Sequence, residues 1–411
     1  MALGALVFLG TARSEDADHQ YYPFPADKDP AVLVMPADLE YVGAFRLPSL
    51  FQYSEGAMTY HPNGDPDGPS DGYPGSLIVG GEMNANAGRY GEVSIPAPSM
   101  SRILNQLPVA TLLRSVTPLG ANLAGSNSGI HTMAVEYLAA RGDQASARLY
   151  VAHGNGYLPP ADPLTTTYGM SDADFSNPQG GWFFTSDPNN RHCINDYIFS
   201  IPSAWASAHA AGRELATGRH REGDLCGRGP ALFAFAPWQQ GPDPLPDGST
   251  LTGVTPLLRY QQYSGGLPSY SHGGDIYMGA AWVEADAKSA VIFFGRKGRS
   301  GGAYGDYCGV QGFHDLEGYY PYAMFMDPAD IALVAQGLAA PDTPMPYVGI
   351  NLNERAFRPN VDTCDRTHIK GVAYDRVRNR IFALESSTDN VVHVWQVADV
   401  GLFRDGFEGQ D

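Results

Sequence analysis

Four histidines stand beside short apolar runs: His131 in SGIHTM, His153 in VAHGNG, His272 in YSHGGDIYM and His368 in RTHIKGV. Carboxylates take equivalent places, Glu55 in YSEGAM, Asp275 two residues after Gly273, and Glu385 in ALESS. So do cations, Arg296 and Lys297 in FGRKGR and Lys370 beside His368. Three chemistries draw on this set. Imidazoles from separate elements, His131, His272 and His368, can hold a divalent metal such as Zn or Mn, whereas Ca would need oxygens such as those of Glu55 and Asp275. No HxH or HExxH motif occurs, so a metal site would depend on convergence in space, and the alternative is no cofactor. The second chemistry is β-elimination from a uronate-bearing glycan. It needs a base (His272 or His131), a proton donor for the leaving oxygen (Tyr270) and a cation for the substrate carboxylate (Arg296, Lys370 or a metal). The third is glycoside hydrolysis by paired carboxylates drawn from Glu55, Asp275 and Glu385. Lys297 would bind substrate in either case, and Trp182 and Tyr304 offer rings on which sugars stack. Each residue also has a plainer use. A histidine at a strand start commonly bonds the backbone, and a glutamate there can serve strand-end amides.

These residues matter together only if the elements carrying them converge. A phrase recurs along the chain: an apolar strand, a turn rich in Asp, Asn or Gly, and a second apolar strand. Its clearest copies cover 56–81, 131–154, 276–298 and 369–387. YGEVSIPAP, NDYIFSIPSAW and VVHVWQV read as third strands, with YAMFMDPAD in that place after the 276–298 copy. PVATLLRSVTP and MPYVGINLN read as fourth strands. A further, degenerate unit is expected within 225–263, from GPALFAFAPW and TPLLRYQQY. Repeated four-stranded antiparallel units predict an all-β chain folded as a β-propeller, with five blades the expected number. LEYVGAFRLP has no unit of its own and would pair with VVHVWQV to close the ring. Two segments, 202–216 and 327–339, have helical spacing. Long aromatic insertions are expected at 154–191 and 298–320, where loops of that length tend to carry function.

In such a blade the inner strand starts, and the second strand ends, on the same rim. Glu55, His131, His272, Asp275, His368 and Lys370 begin inner strands. Glu82, His153, Arg296, Lys297 and Glu385 end second strands. All are therefore expected on one rim, with both insertions. The opposite rim receives ordinary turn sequences such as ARGDQAS and DRVRN. His61, His209, His220 and His393 fall on turns, a helix or an outer strand and are read as non-functional. The pattern resembles propellers generally, without WD or Kelch signatures. Its rim inventory of His, Tyr and Arg is similar to that of propeller-type polysaccharide lyases, and its carboxylates to those of five-bladed glycosidases. The resemblance implies a carbohydrate-active enzyme, with a glycan- or protein-binding propeller as the alternative.

The whole-chain properties agree. Of 411 residues, 48 are Gly and 32 Pro, and only 17% are charged, which suits strands and turns over helices. A net charge of −18 disfavours binding to nucleic acid or anionic membrane through bulk charge. Residues 1–20 read as the remnant of a secretory leader whose basic start is missing, which predicts a secreted or periplasmic protein. The ring is expected over 39–400 and a polar tail over 401–411. The four cysteines form no CxxC motif, and in an exported protein they predict two disulfides, with Cys193–Cys226 and Cys308–Cys364 the sequence-local pairing. A phosphate loop, a dinucleotide fingerprint and a G-x-S-x-G elbow are all missing from the sequence.

Overall fold

Strands in this chain are apolar on both faces. Ile276–Ala285 buries nine of its ten residues and Tyr319–Met326 all eight. Such strands must be covered on two sides, and a ring of sheets packed face to face covers them. The computed structural model describes residues 24–54, 56–65, 72–82, 86–123, 132–154, 166–184, 196–220, 229–260, 274–299, 303–307, 309–365 and 368–398.

The first strand, β1 (Leu39–Arg46), waits for the last blade. Blade 1 is β2 (Met58–His61), β3 (Gly72–Gly80), β4 (Tyr90–Pro96) and β5 (Leu112–Thr117). Blade 2 is β6 (Thr132–Leu138), β7 (Arg148–Gly154), β8 (Thr166–Asp172) and β9 (Gln179–Phe184). Blade 3 is β10 (Tyr197–Ser200), β11 (Leu215–Gly218), β12 (Leu232–Phe235) and, after the short β13 (Thr250–Leu251) pairs with β9, β14 (Val254–Leu258). Blade 4 is β15 (Ile276–Ala285), β16 (Lys288–Gly298), β19 (Tyr319–Met326) and β20 (Pro346–Asn351). A separate hairpin, β17 (Ala303–Tyr307) and β18 (Val310–His314), is inserted in it. Blade 5 is β21 (His368–Asp375), β22 (Arg380–Ser386), β23 (Val391–Val397) and β1. The protein is a five-bladed antiparallel β-propeller.

Strands β2, β6, β10, β15 and β21 pack side by side around the axis. Glycines let them approach: a Cβ on Gly279 would lie 2.4 Å from the Lys370 carbonyl oxygen, and one on Gly371 2.8 Å from that of Gly56. Each interface between neighbouring blades holds its own apolar cluster, so the core is a ring of five contacts and not a single centre. Closure follows the expected pairing. Leu39 lies opposite Val397 and Arg46 opposite Val391, with one irregularity between Tyr41 and Gly43. The packed chain begins before Leu39. Leu33 and Val34 are buried between blades 4 and 5, Lys28 pairs with Asp327 (2.8 Å) and Asp330 (2.6 Å), and Lys288 pairs with Asp38 (2.9 Å). The helical segments shorten to α1 (Ser203–His209) and α2 (Pro328–Ala335), the latter capped by the Asp327 carboxylate on Ala329 N.

Two expectations change. NDYIFS is the inner strand of blade 3 and not a third strand of blade 2. The third and fourth strands of blade 2, β8 and β9, come from within the segment read as an insertion. Blade 3 therefore starts at Tyr197, upstream of the 225–263 segment. The insertion of blade 4 carries the β17–β18 hairpin. Among the described residues no helix is long and apolar enough to cross a membrane. Residues 1–20 and 401–411 lie outside the described residues.

Candidate functional site

Register fixes the rim. Thr132 pairs with Gly154, Tyr197 with Gly218, Ile276 with Arg296 and His368 with Ser386, so inner-strand starts and second-strand ends share one side of the ring.

The densest described chemistry lies where blades 3 and 4 meet on that rim. Asp196 immediately precedes β10 and is 1% exposed. Its backbone N–H donates to Gly218 O (2.9 Å), which anchors it to the end of β11. Its carboxylate accepts from the His220 backbone N–H (2.8 Å) and pairs with His220 Nδ1. Burial alone would raise the Asp196 carboxyl, but the charges of His220 and Arg219 and the His220 hydrogen bonds hold it below the usual carboxylate range. A histidine whose Nδ1 faces a buried carboxylate is fixed in orientation, and proton exchange passes to Nε2. The backbone is tied across the interface, since Tyr277 N donates to His220 O (3.3 Å).

Next to it, Asp275 precedes β15 and is also 1% exposed. One carboxylate oxygen accepts from Gly298 N (2.8 Å) and the other from Lys297 Nζ (3.2 Å). Lys297 Nζ also lies 5.7 Å from the centre of the Tyr322 ring. The Arg296 guanidinium lies 3.8 Å from the centre of the Tyr319 ring, and its Nη1 donates to Asp365 O (3.2 Å). Lys370 stands on the inner strand of blade 5, where its Cβ would be 3.2 Å from a Cβ on Gly56. Arg219, Arg296, Lys297 and Lys370 are all less than 10% exposed, so four cations are sunk into one rim of a chain with net charge −18.

The other expected residues have different surroundings. Glu385 is 2% exposed and takes hydrogen bonds from Phe357 N (2.8 Å), Arg358 N (2.7 Å) and His393 Nε2 (2.8 Å). Burial opposes its ionisation, and the His393 hydrogen bond and charge, with the two amides, outweigh burial and hold its carboxyl low. His393 in turn contacts Tyr41 Oη through Nδ1 (3.0 Å). Glu385 thus clamps the loop before β21 to the blade. Trp182, expected as a stacking face, is 1% exposed and packs the core between blades 2 and 3, with its indole N–H donating to Pro246 O (3.0 Å). His153 ends β7 as expected, but it is 4% exposed and packs against Tyr90, whose Oη lies 2.9 Å from its Nε2. Glu55, His131, Tyr270 and His272 lie outside the described residues, as do the side chains of His368 and Tyr304. Among the described residues no three His, Cys, Asp or Glu side chains converge on a metal position; Cys193, Cys226 and Cys308 lie outside the described residues.

His220 is the rim residue that sequence reading missed. With Tyr197–Ser200 assigned to blade 2, and Leu215 and Ala216 read as the end of a helix, the strand it follows was hidden. The signal was present: an Asp before an apolar strand and basic residues after the next one, as in Asp275 with Arg296 and Lys297. No protein-family model matches this chain, and no curated protein matches it in sequence.

Proposed function

We propose that the protein is an exported carbohydrate-active enzyme that cleaves an acidic, uronate-bearing polysaccharide at this rim by β-elimination. The observation that carries the reading is the set of four nearly buried cations, Arg219, Arg296, Lys297 and Lys370, on one rim of a strongly anionic chain. Asp275 and Asp196 balance part of this charge, and an anionic ligand is a partner that a basic cluster of this size favours. Elimination needs a base beside them, and His220, with its Nδ1 against the Asp196 carboxylate, supports that role. His131 or His272 with Tyr270 as proton donor completes the expected proton-transfer set, and His131, His272 and His368 are the ligands that Zn or Mn would use, whereas Ca would take the oxygens of Glu55 and Asp275. Asp275 and Glu385 both spend their oxygens on backbone amides and basic partners, which suits elimination better than hydrolysis by paired carboxylates. Cys193–Cys226 and Cys308–Cys364 would be the disulfides of an exported chain.

The test is a panel of acidic and neutral polysaccharides read two ways, by near-ultraviolet absorbance of an unsaturated uronate and by new reducing ends. Both signals from an acidic polymer are expected. Reducing ends without absorbance would reassign the rim to hydrolysis, and binding without either signal would make this a glycan-binding propeller.

A further inference from the structure

The other end of the propeller axis carries two partly buried charges, Glu136 and Arg376. Its chamber is lined by Glu136 of blade 2, Phe199 and Ser200 of blade 3, Trp282 of blade 4, and Tyr374 and Arg376 of blade 5. It lies on the rim opposite the proposed catalytic face, because Glu136 and Ser200 stand toward the far ends of inner strands and Arg376 is in the turn after β21.

Arg376 reaches from blade 5 to blade 3, where its Nε lies 3.2 Å from Ser200 Oγ and its Nη2 bonds Ser200 O. Its Nη1 is buried and has no hydrogen-bond partner. An unsatisfied, buried N–H on a charged guanidinium costs more than one on a neutral group. Glu136 faces the same chamber but does not pair with it. Its oxygens accept instead from Ser200 N (2.9 Å) and Thr59 Oγ1 (2.8 Å). Burial pushes the Glu136 carboxyl up and the Arg376 guanidinium down, against the attraction between the two charges. Glu284, whose charge also acts on Arg376, is exposed.

We propose that this chamber is an anion site, in which a small monovalent inorganic anion of the halide class binds the Arg376 guanidinium and bridges blades 3 and 5 at the axis. The anion accepts from the unfilled guanidinium edge, while the carboxylate of Glu136 opposes it. The site is independent of the catalytic reading, since it uses none of the same residues.

Crystals of the wild-type protein grown in sodium bromide should show an anomalous peak in contact with the Arg376 guanidinium. A chamber holding only water would overturn the proposal. In solution, replacing gluconate by chloride at constant ionic strength should raise the unfolding midpoint of the wild type. Arg376→Gln should show no difference between the two salts. Glu136→Gln, which removes the opposing charge without touching the guanidinium, should reach the same rise at roughly tenfold lower chloride. An unchanged chloride response in Arg376→Gln, or a weaker one in Glu136→Gln, would refute the site.

Discussion

His153 gives the sharpest quantitative prediction. It is buried beside Tyr90, whose hydroxyl donates to Ala134 O (3.1 Å), so His153 Nε2–H donates to Tyr90 Oη and the ring is held neutral. Burial lowers its pKa from 6.5 to about 4. The unfolded chain therefore takes up a proton near pH 6.5 that the folded protein refuses until about pH 4. The native state keeps its full advantage above that window. It loses stability as pH falls through the window, and the loss levels off once the folded imidazole also protonates. A gap of that size corresponds to roughly 3 kcal/mol. His153→Phe keeps the ring volume and leaves the Tyr90 hydroxyl bonded to Ala134. At neutral pH the variant should lose about 1 kcal/mol with the hydrogen bond. At pH near 4 it should be the more stable of the two. Urea denaturation of both proteins across the window tests this, because carboxylates such as Asp196 and Glu385 contribute equally to both curves and cancel in the difference. Parallel stability curves for wild type and His153→Phe would refute the assignment of a neutral, desolvated imidazole.

Other outcomes follow from the same geometry. Glu385→Ala leaves His393 and the amides of Phe357 and Arg358 without their acceptor and should cost roughly 3 kcal/mol in denaturation experiments, whereas Glu385→Gln should recover part of that loss. Removing residues up to Ala37 takes away Leu33, Val34 and Lys28 and should cost roughly 3 kcal/mol or more, seen as a lower urea midpoint with the closing strand intact. If the elimination reading holds, His220→Gln should lower kcat by roughly a hundredfold or more with little change in KM. Asp196→Asn should alter the pH profile of kcat/KM, which a purely structural role would leave in place.

Much of the ring is legible in the sequence because hairpins are local. The turn at Asp286 (φ 51°) and the Asp375–Arg380 turn, where the Asp375 carboxylate accepts from Val377 N and Arg378 N, announce themselves by residue type. The pairing of β1 with β23 is legible for a different reason, since β1 has no unit of its own and β23 is the last strand of a unit that lacks a fourth. Blade 3 is not legible. Its inner strand has four residues and runs almost directly into α1, so the apolar signal of Tyr197–Ser200 attaches equally well to either neighbour. The shared rim follows from strand direction alone, and Asp275, Arg296, Lys297 and Lys370 are on it. What each side chain does there is not local information. The occupation of Glu385 depends on Phe357 and Arg358, and that of Arg376 on Ser200, residues that only the closed ring brings near.

The closing pair also sets a schedule for biosynthesis. β1 is among the first strands made, yet its partner, Val391–Val397, is the last, and Ala398 N donates to Asp38 O (2.8 Å) beside it. Until the C-terminal blade is released, the buried face of β1 and of Leu33 and Val34 has no complete surface to cover it. Loop closure over nearly the whole chain must precede the reward of that pairing, which makes it a slow, late event. A nascent chain of this protein is thus held open by its own topology until Val391–Val397 is free to pair. That interval exposes the unfinished ring to aggregation or to chaperones.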